Sequence, residues 1–238
     1  MRTEQPSTRT GTVQLPARAA WWALLGASVA VVLAGVGESI GYAITGSETS
    51  ALTELLGEIG LWAAMIATAL LVSRRYGSSS LSRDYGLAFA RADLLWGFLA
   101  TLAALAISQA VVLPFSGTRF AGSNDQILTQ QQGHEAGFVI VALIVALGAP
   151  FFEELFFRGY LRTCLQSRFG PHGAIWLQAG FFGLAHLGEV SGWANVSVVL
   201  ALFFVGAVLG YTAWLTRRLG AGMVAHCLFN LLAVVTLL

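Results

Sequence analysis

Apolar runs of roughly twenty residues recur seven times along this chain, at 20–43, 52–73, 94–115, 136–157, 173–187, 196–215 and 223–238. About twenty such residues, rising 1.5 Å each, cross the hydrocarbon core of a bilayer. Inside that core each backbone N–H and C=O needs a partner within the protein, which apolar runs of this length find as helices. The expected fold is therefore all-α, a polytopic transmembrane helix bundle with seven membrane helices, or eight if a split or re-entrant segment adds one. Only 11% of the residues are charged, against about 25% in soluble domains. The first run is longer than the roughly 7–15-residue core of a cleaved signal peptide. It is read as a retained helix behind a disordered cytoplasmic tail at 1–19, with a single membrane domain at 20–238.

The basic residues check this count independently. All 13 are arginine. Arg2, Arg9 and Arg18 precede the first run. Arg74, Arg75, Arg83 and Arg91 separate the second from the third. Arg158, Arg162 and Arg168 follow the fourth, and Arg217 and Arg218 follow the sixth. The alternate loops hold Arg119 alone, within a polar loop at 117–133. Arginines gather on the cytoplasmic side, so the expected protein is integral to the cell membrane, multi-pass, with its N-terminus cytoplasmic. A net charge of +1 leaves no footprint for nucleic acid. Cys164 and Cys227 both fall in expected helices, and no disulfide is expected.

Glu153 and Glu154 interrupt a stretch that is otherwise apolar from Phe138 onward. A charged side chain at that depth costs roughly 2.5–3.5 kcal/mol on insertion scales, which makes the pair a functional-site candidate. Helical neighbours point about 100° apart. Glu154 shares a face with Arg158 and can pair with it, leaving Glu153 for other work. His186, one turn after Phe182, and His226 with Asn230 are further polar points in apolar runs. Helix rise puts Glu153 and His186 at similar depth and His226 shallower.

Taken singly, these residues have bland readings. A lone membrane histidine is often a helix–helix hydrogen bond, and Glu154 with Arg158 is first of all a structural clamp. Cys227 reads as an inert core thiol. Gly206 and Gly210 read as a packing face. Glu38, Glu54 and Glu58 read as interfacial, with a cation path following only if they face the bundle. Jointly, Glu153, His186, His226 and Asn230 on three apolar helices are hard to explain as independent packing choices. A Glu and a His can hold and deprotonate a water, while a His and an Asn can donate to an oxyanion. That equipment hydrolyses an amide. Glu153, His186 and His226 could equally ligate zinc with one position left open for water.

The ordered motifs are Glu153-Glu154 with Arg158, Phe182 with His186, and His226 with Asn230. They resemble those of the CPBP intramembrane endopeptidases, which include the Ras-converting CAAX prenyl endopeptidases and bacterial abortive-infection and bacteriocin-immunity homologues. The resemblance spans Glu153–Asn230. It implies a peptide hydrolase in which Glu153 and His186 activate water and His226 and Asn230 form the oxyanion hole. Glu154 and Arg158 would organise the site and Phe182 would line it. The family has been described both as metalloproteases and as metal-independent glutamate proteases. Asn230 is a poor zinc ligand, so the reading here favours no required cofactor, with zinc as the alternative. The implied partners are a peptide or protein substrate and the lipid bilayer. Other functions consistent with the chain are a non-catalytic scaffold or immunity factor and a transporter.

Overall fold

A computed structural model describes residues 15–116, 125–188 and 193–236. Helices dominate them, and the expected all-α membrane architecture holds. A short 3-10 turn, Ala17–Ala20, leads into α1 (Trp21–Thr45) and α2 (Ala51–Tyr76). A small helix, α3 (Leu81–Tyr85), precedes α4 (Ala92–Ser116), and α5 (Asp125–Gln130) follows. Then comes one long apolar stretch, Glu135–Ala185. It comprises α6 (Glu135–Leu143), a π-helical segment Ile144–Gly148, α7 (Ala149–Glu153), a second π segment Glu154–Leu161, and α8 (Arg162–Ala185). Two further helices, α9 (Trp193–Thr216) and α10 (Gly220–Thr236), complete the bundle.

Five of these stretches are long and apolar enough to cross a membrane, and α10 is a shorter apolar helix. Each of the seven expected runs coincides with a helix. The fourth and fifth are joined, because the helix runs on past Arg158 until Gly170 (φ 68°, ψ 176°) breaks it before Pro171. A left-handed φ at that break suits glycine. Residues 1–14 of the expected tail lie outside the described residues, whereas Leu15 and Ala19 are fully buried. Within the expected loop at 117–133, residues 117–124 also lie outside, while the remainder holds α5 and Gln131, whose Nε2 donates to Thr49 O at 2.6 Å.

Small residues let the helices touch. A methyl group on Gly37 would collide with the Leu56 carbonyl, and one on Gly60 with the Leu33 carbonyl, so α1 and α2 pack backbone to backbone. Gly206 and Gly210 of α9 lie against Ala179 and Phe182, and against Ile175 and Gln178, of α8. That is the packing face expected of them. Large apolar side chains such as Trp21, Val31, Leu95 and Leu113 point outward with more than half their surface exposed. An apolar surface of that extent belongs in lipid.

At the arginine-rich end, two buried aspartates fasten the connections. Asp93 is paired with Arg218, whose Nη2 lies 2.8 Å from Oδ1. In the same turn Leu219 N–H donates to Gly86 O at 2.8 Å and Gly220 N–H to Ala88 O at 3.1 Å. Asp84 accepts hydrogen bonds from the Ser73 hydroxyl, the Ser78 hydroxyl (2.7 Å) and Ser78 N–H (2.9 Å). Burial alone would raise the Asp84 pKa, but these donors hold it below its ordinary value. A carboxyl depressed on folding contributes stability above its unfolded value that disappears as pH falls through the folded one. Thermal stability is therefore expected to fall on acidification below about pH 4, with Asp84→Asn removing that part of the pH dependence. An Asp84→Asn profile parallel to wild type across the window contradicts this reading.

Candidate active site

The site forms where the second π segment meets α8 and α10. Pro150 explains why the helix ahead of it widens. Proline has no N–H to offer and crowds the preceding turn, and Ala149 N–H donates to Ile144 O, five residues back. Val145 O thus lacks its α-helical donor, and its π-helical donor would be Pro150. Asn230 fills the gap, its Nδ2 donating to Val145 O at 2.8 Å. One amide hydrogen of Asn230 is thereby spent on orientation and the second remains.

Glu154 and Arg158 pair as expected, Nη1 lying 3.0 Å from Oε1 with both side chains fully buried. The guanidinium also lies over an aromatic ring, its carbon 4.0 Å from the centroid of Phe182. Cation–π attraction strengthens when the cation is desolvated. Phe182 meets Phe157, His186 and His226 edge-on at centroid distances of 5.3, 4.8 and 5.9 Å. It is the hub on which the basic residues are arranged.

Their 100° offset does not send the two carboxylates to separate partners. They bracket one imidazole. His226 Nδ1 lies 3.2 Å from Glu154 Oε1, and Nε2 lies 3.8 Å from Glu153 Oε2. Gly222, one turn before His226, admits this approach, since a methyl group there would sit 2.6 Å from Glu154 Oε2. Nor is His226 shallower than its partners. The turn at Arg217–Leu219 is tied to Asp93, Gly86 and Ala88, and α10 begins directly after it.

His186 caps the C-terminal end of α8, where its Nδ1 lies 2.8 Å from Phe182 O. A carbonyl only accepts, so the proton is on Nδ1 and Nε2 keeps its lone pair. Among the described residues no three His, Cys, Asp or Glu side chains are grouped as a metal site; Nε2 of His186 and of His226 are the ring nitrogens not used in the hydrogen bonds above. Glu38 lies on α1, Glu54 and Glu58 lie on α2, and Cys227 on α10 is a half-buried free thiol.

Sequence reasoning missed two contributors. The π segments were signalled by Pro150 in an otherwise unbroken run. Trp62 of α2 stacks on Phe152 at 4.7 Å with planes 13° apart and covers Gly148, forming a wall beside Glu153. A tryptophan in an apolar helix carries no sequence signal that separates this from lipid contact.

Residues 135–232 match the family model described as type II CAAX prenyl endopeptidase Rce1-like, consistent with the CPBP resemblance. The match takes in all seven residues of the constellation. No curated protein and no solved structure matches the chain.

Proposed function

We propose that this integral membrane protein, in line with its Rce1-like match over residues 135–232, is an intramembrane endopeptidase that hydrolyses a peptide bond of a membrane-associated substrate near the cytoplasmic face. The observation that carries the reading is the bracketing of His226 by Glu153 and Glu154. We take His226 in its imidazolium form, set between the two carboxylates. In that form Nδ1–H donates to Glu154 and Nε2–H is free to donate.

Glu153 is the general base. Its side chain is 17% exposed, against none for Glu154, so water can reach it. It takes a proton from a water that also donates to Nε2 of His186, and the resulting hydroxide attacks the peptide carbonyl. His226 Nε2–H and the second Nδ2 hydrogen of Asn230 donate to the tetrahedral oxyanion. As the C–N bond breaks, Glu153 returns its proton to the departing amine. Glu154, Arg158 and Phe182 hold the histidines in place.

The deciding experiment is an assay of purified, detergent-solubilised protein on a quenched-fluorescence peptide library. It includes a farnesylated C-terminal peptide and is run with and without a strong chelator. Cleavage that survives the chelator is expected. Activity lost to the chelator and restored by zinc would instead make Glu153, His186 and His226 metal ligands. No cleavage of any peptide in the library counts against peptide hydrolysis.

A further inference from the structure

We propose that the arginine-rich ends of α1 and α2 form a binding site for the headgroup of an anionic phospholipid. A concavity of about 500 Å³ opens there, lined by Trp22, Leu71, Val72, Arg74, Arg75 and Tyr76. Its polar side is cationic. The Arg75 guanidinium lies 5.6 Å from the centre of the Tyr76 ring, and that of Arg18 lies 5.8 Å from the same ring. Arg75 Nε also donates to the Tyr76 hydroxyl at 3.4 Å. Among the described residues, none of Arg18, Arg74 and Arg75 is in an ion pair. Two guanidiniums at one aromatic ring, with Arg74 lining the same concavity and no carboxylate among its lining residues, call for an anion. The planar fork of arginine matches phosphate oxygens in pairs.

The other side of the concavity is apolar and continuous with the lipid-facing flank. Leu71 is 54% exposed, and Leu25, on α1, is 56% exposed. Trp22 stands between the two environments, at the level that tryptophan favours in a bilayer. A cationic rim over an apolar slope fits a molecule with phosphate at one end and acyl chains at the other. That combination selects a phospholipid over free phosphate. The site has a route to the core. Arg18 precedes Ala19, whose carbonyl accepts a hydrogen bond from the Tyr160 hydroxyl at 2.7 Å, and Tyr160 lies on the helix that carries Glu154 and Arg158. A phosphate held by Arg18 therefore fastens the N-terminal turn onto that helix. The inference stands apart from the peptidase reading.

The test uses the full chain in a neutral detergent, titrated with phosphatidylglycerol, phosphatidylcholine or glycerol phosphate. Retained lipid is counted by native mass spectrometry, and the thermal midpoint is followed alongside. Phosphatidylglycerol is expected to be retained in preference to phosphatidylcholine. Arg74→Gln/Arg75→Gln should weaken that retention about 30-fold, taking roughly a factor of five per arginine at an anionic lipid surface. Arg83→Gln, an exposed arginine of the same connection, should leave it unchanged. Equal retention of both lipids, an unaffected double variant, or an equal loss in Arg83→Gln overturns the site. Stabilisation by glycerol phosphate as large as that by phosphatidylglycerol overturns the lipid and leaves a phosphate site. If the double variant is not recovered, Arg74→Gln and Arg75→Gln measured singly decide the same question, each with about a fivefold loss expected.

Discussion

Glu153→Gln is expected to lower peptide hydrolysis by roughly 10²–10⁴-fold, the range that a positioned general base supplies, while the protein still inserts and folds. The substitution keeps the size and shape of the side chain and removes its capacity to take a proton. Partial access to solvent limits the stability that is lost with its charge. Glu153 Oε2 stands 3.8 Å from His226 Nε2, beyond hydrogen-bonding range, and the side chain is partly open to solvent. The loss should therefore fall on kcat, with the thermal midpoint close to wild type. Glu154→Gln is the informative comparison. It leaves Arg158 buried beside a neutral amide, so it should lower stability and activity together. Full activity in Glu153→Gln would remove the general-base assignment. A midpoint that drops as far as in Glu154→Gln would make Glu153 a structural residue.

Much of this was readable in the chain, for reasons that can be named. Span length is set by bilayer thickness, so the seven apolar runs matched helices in the structure without any alignment. The spacing of Glu154 and Arg158 fixes a shared helical face, and the pair forms as expected at 3.0 Å. The convergence on Phe182 was suggested by apolar helices each bearing an unexplained polar residue.

What stayed hidden depends on geometry that spacing does not encode. Counting 1.5 Å per residue misjudged the depth of His226, because the Asp93–Arg218 pair and two backbone hydrogen bonds place the start of α10. The 100° offset between Glu153 and Glu154 assumed a straight helix and a target on one side. The target is a flat ring with two nitrogens, and adjacent carboxylates can reach opposite edges of it. Asn230 looked like a pure oxyanion donor. One of its hydrogens instead completes a π segment created by Pro150, which ties the orientation of the amide to a proline 80 residues earlier. Nothing in α1 to α4 carries a motif, so the wall that Trp62 makes against Phe152 emerged only from packing.

Arg158→Ala should be the most destabilising single change in the site. The guanidinium is fully buried, 3.0 Å from Glu154 Oε1, and rests on the Phe182 ring. Its removal leaves Glu154 in low dielectric without its ion-pair partner. Breaking a buried pair from one side typically costs 3–5 kcal/mol, and the lost cation–π contact adds to that. At roughly 2–4 °C per kcal/mol for a chain of this size, the unfolding midpoint should drop by about 10 °C, measured in detergent by a thermal-shift assay. Activity should fall as well, because Phe182 and His226 lose the group that sets their spacing. A pure cavity effect is separable from a charge effect. Arg158→Ala combined with Glu154→Gln removes the stranded charge but leaves the same hole, so the double variant should recover part of the lost stability. Arg158→Lys keeps the charge but not the guanidinium over Phe182, and should fall between wild type and alanine. An Arg158→Ala protein as stable as wild type would show that Glu154 is held by His226 alone, and the clamp would then have no role in the site.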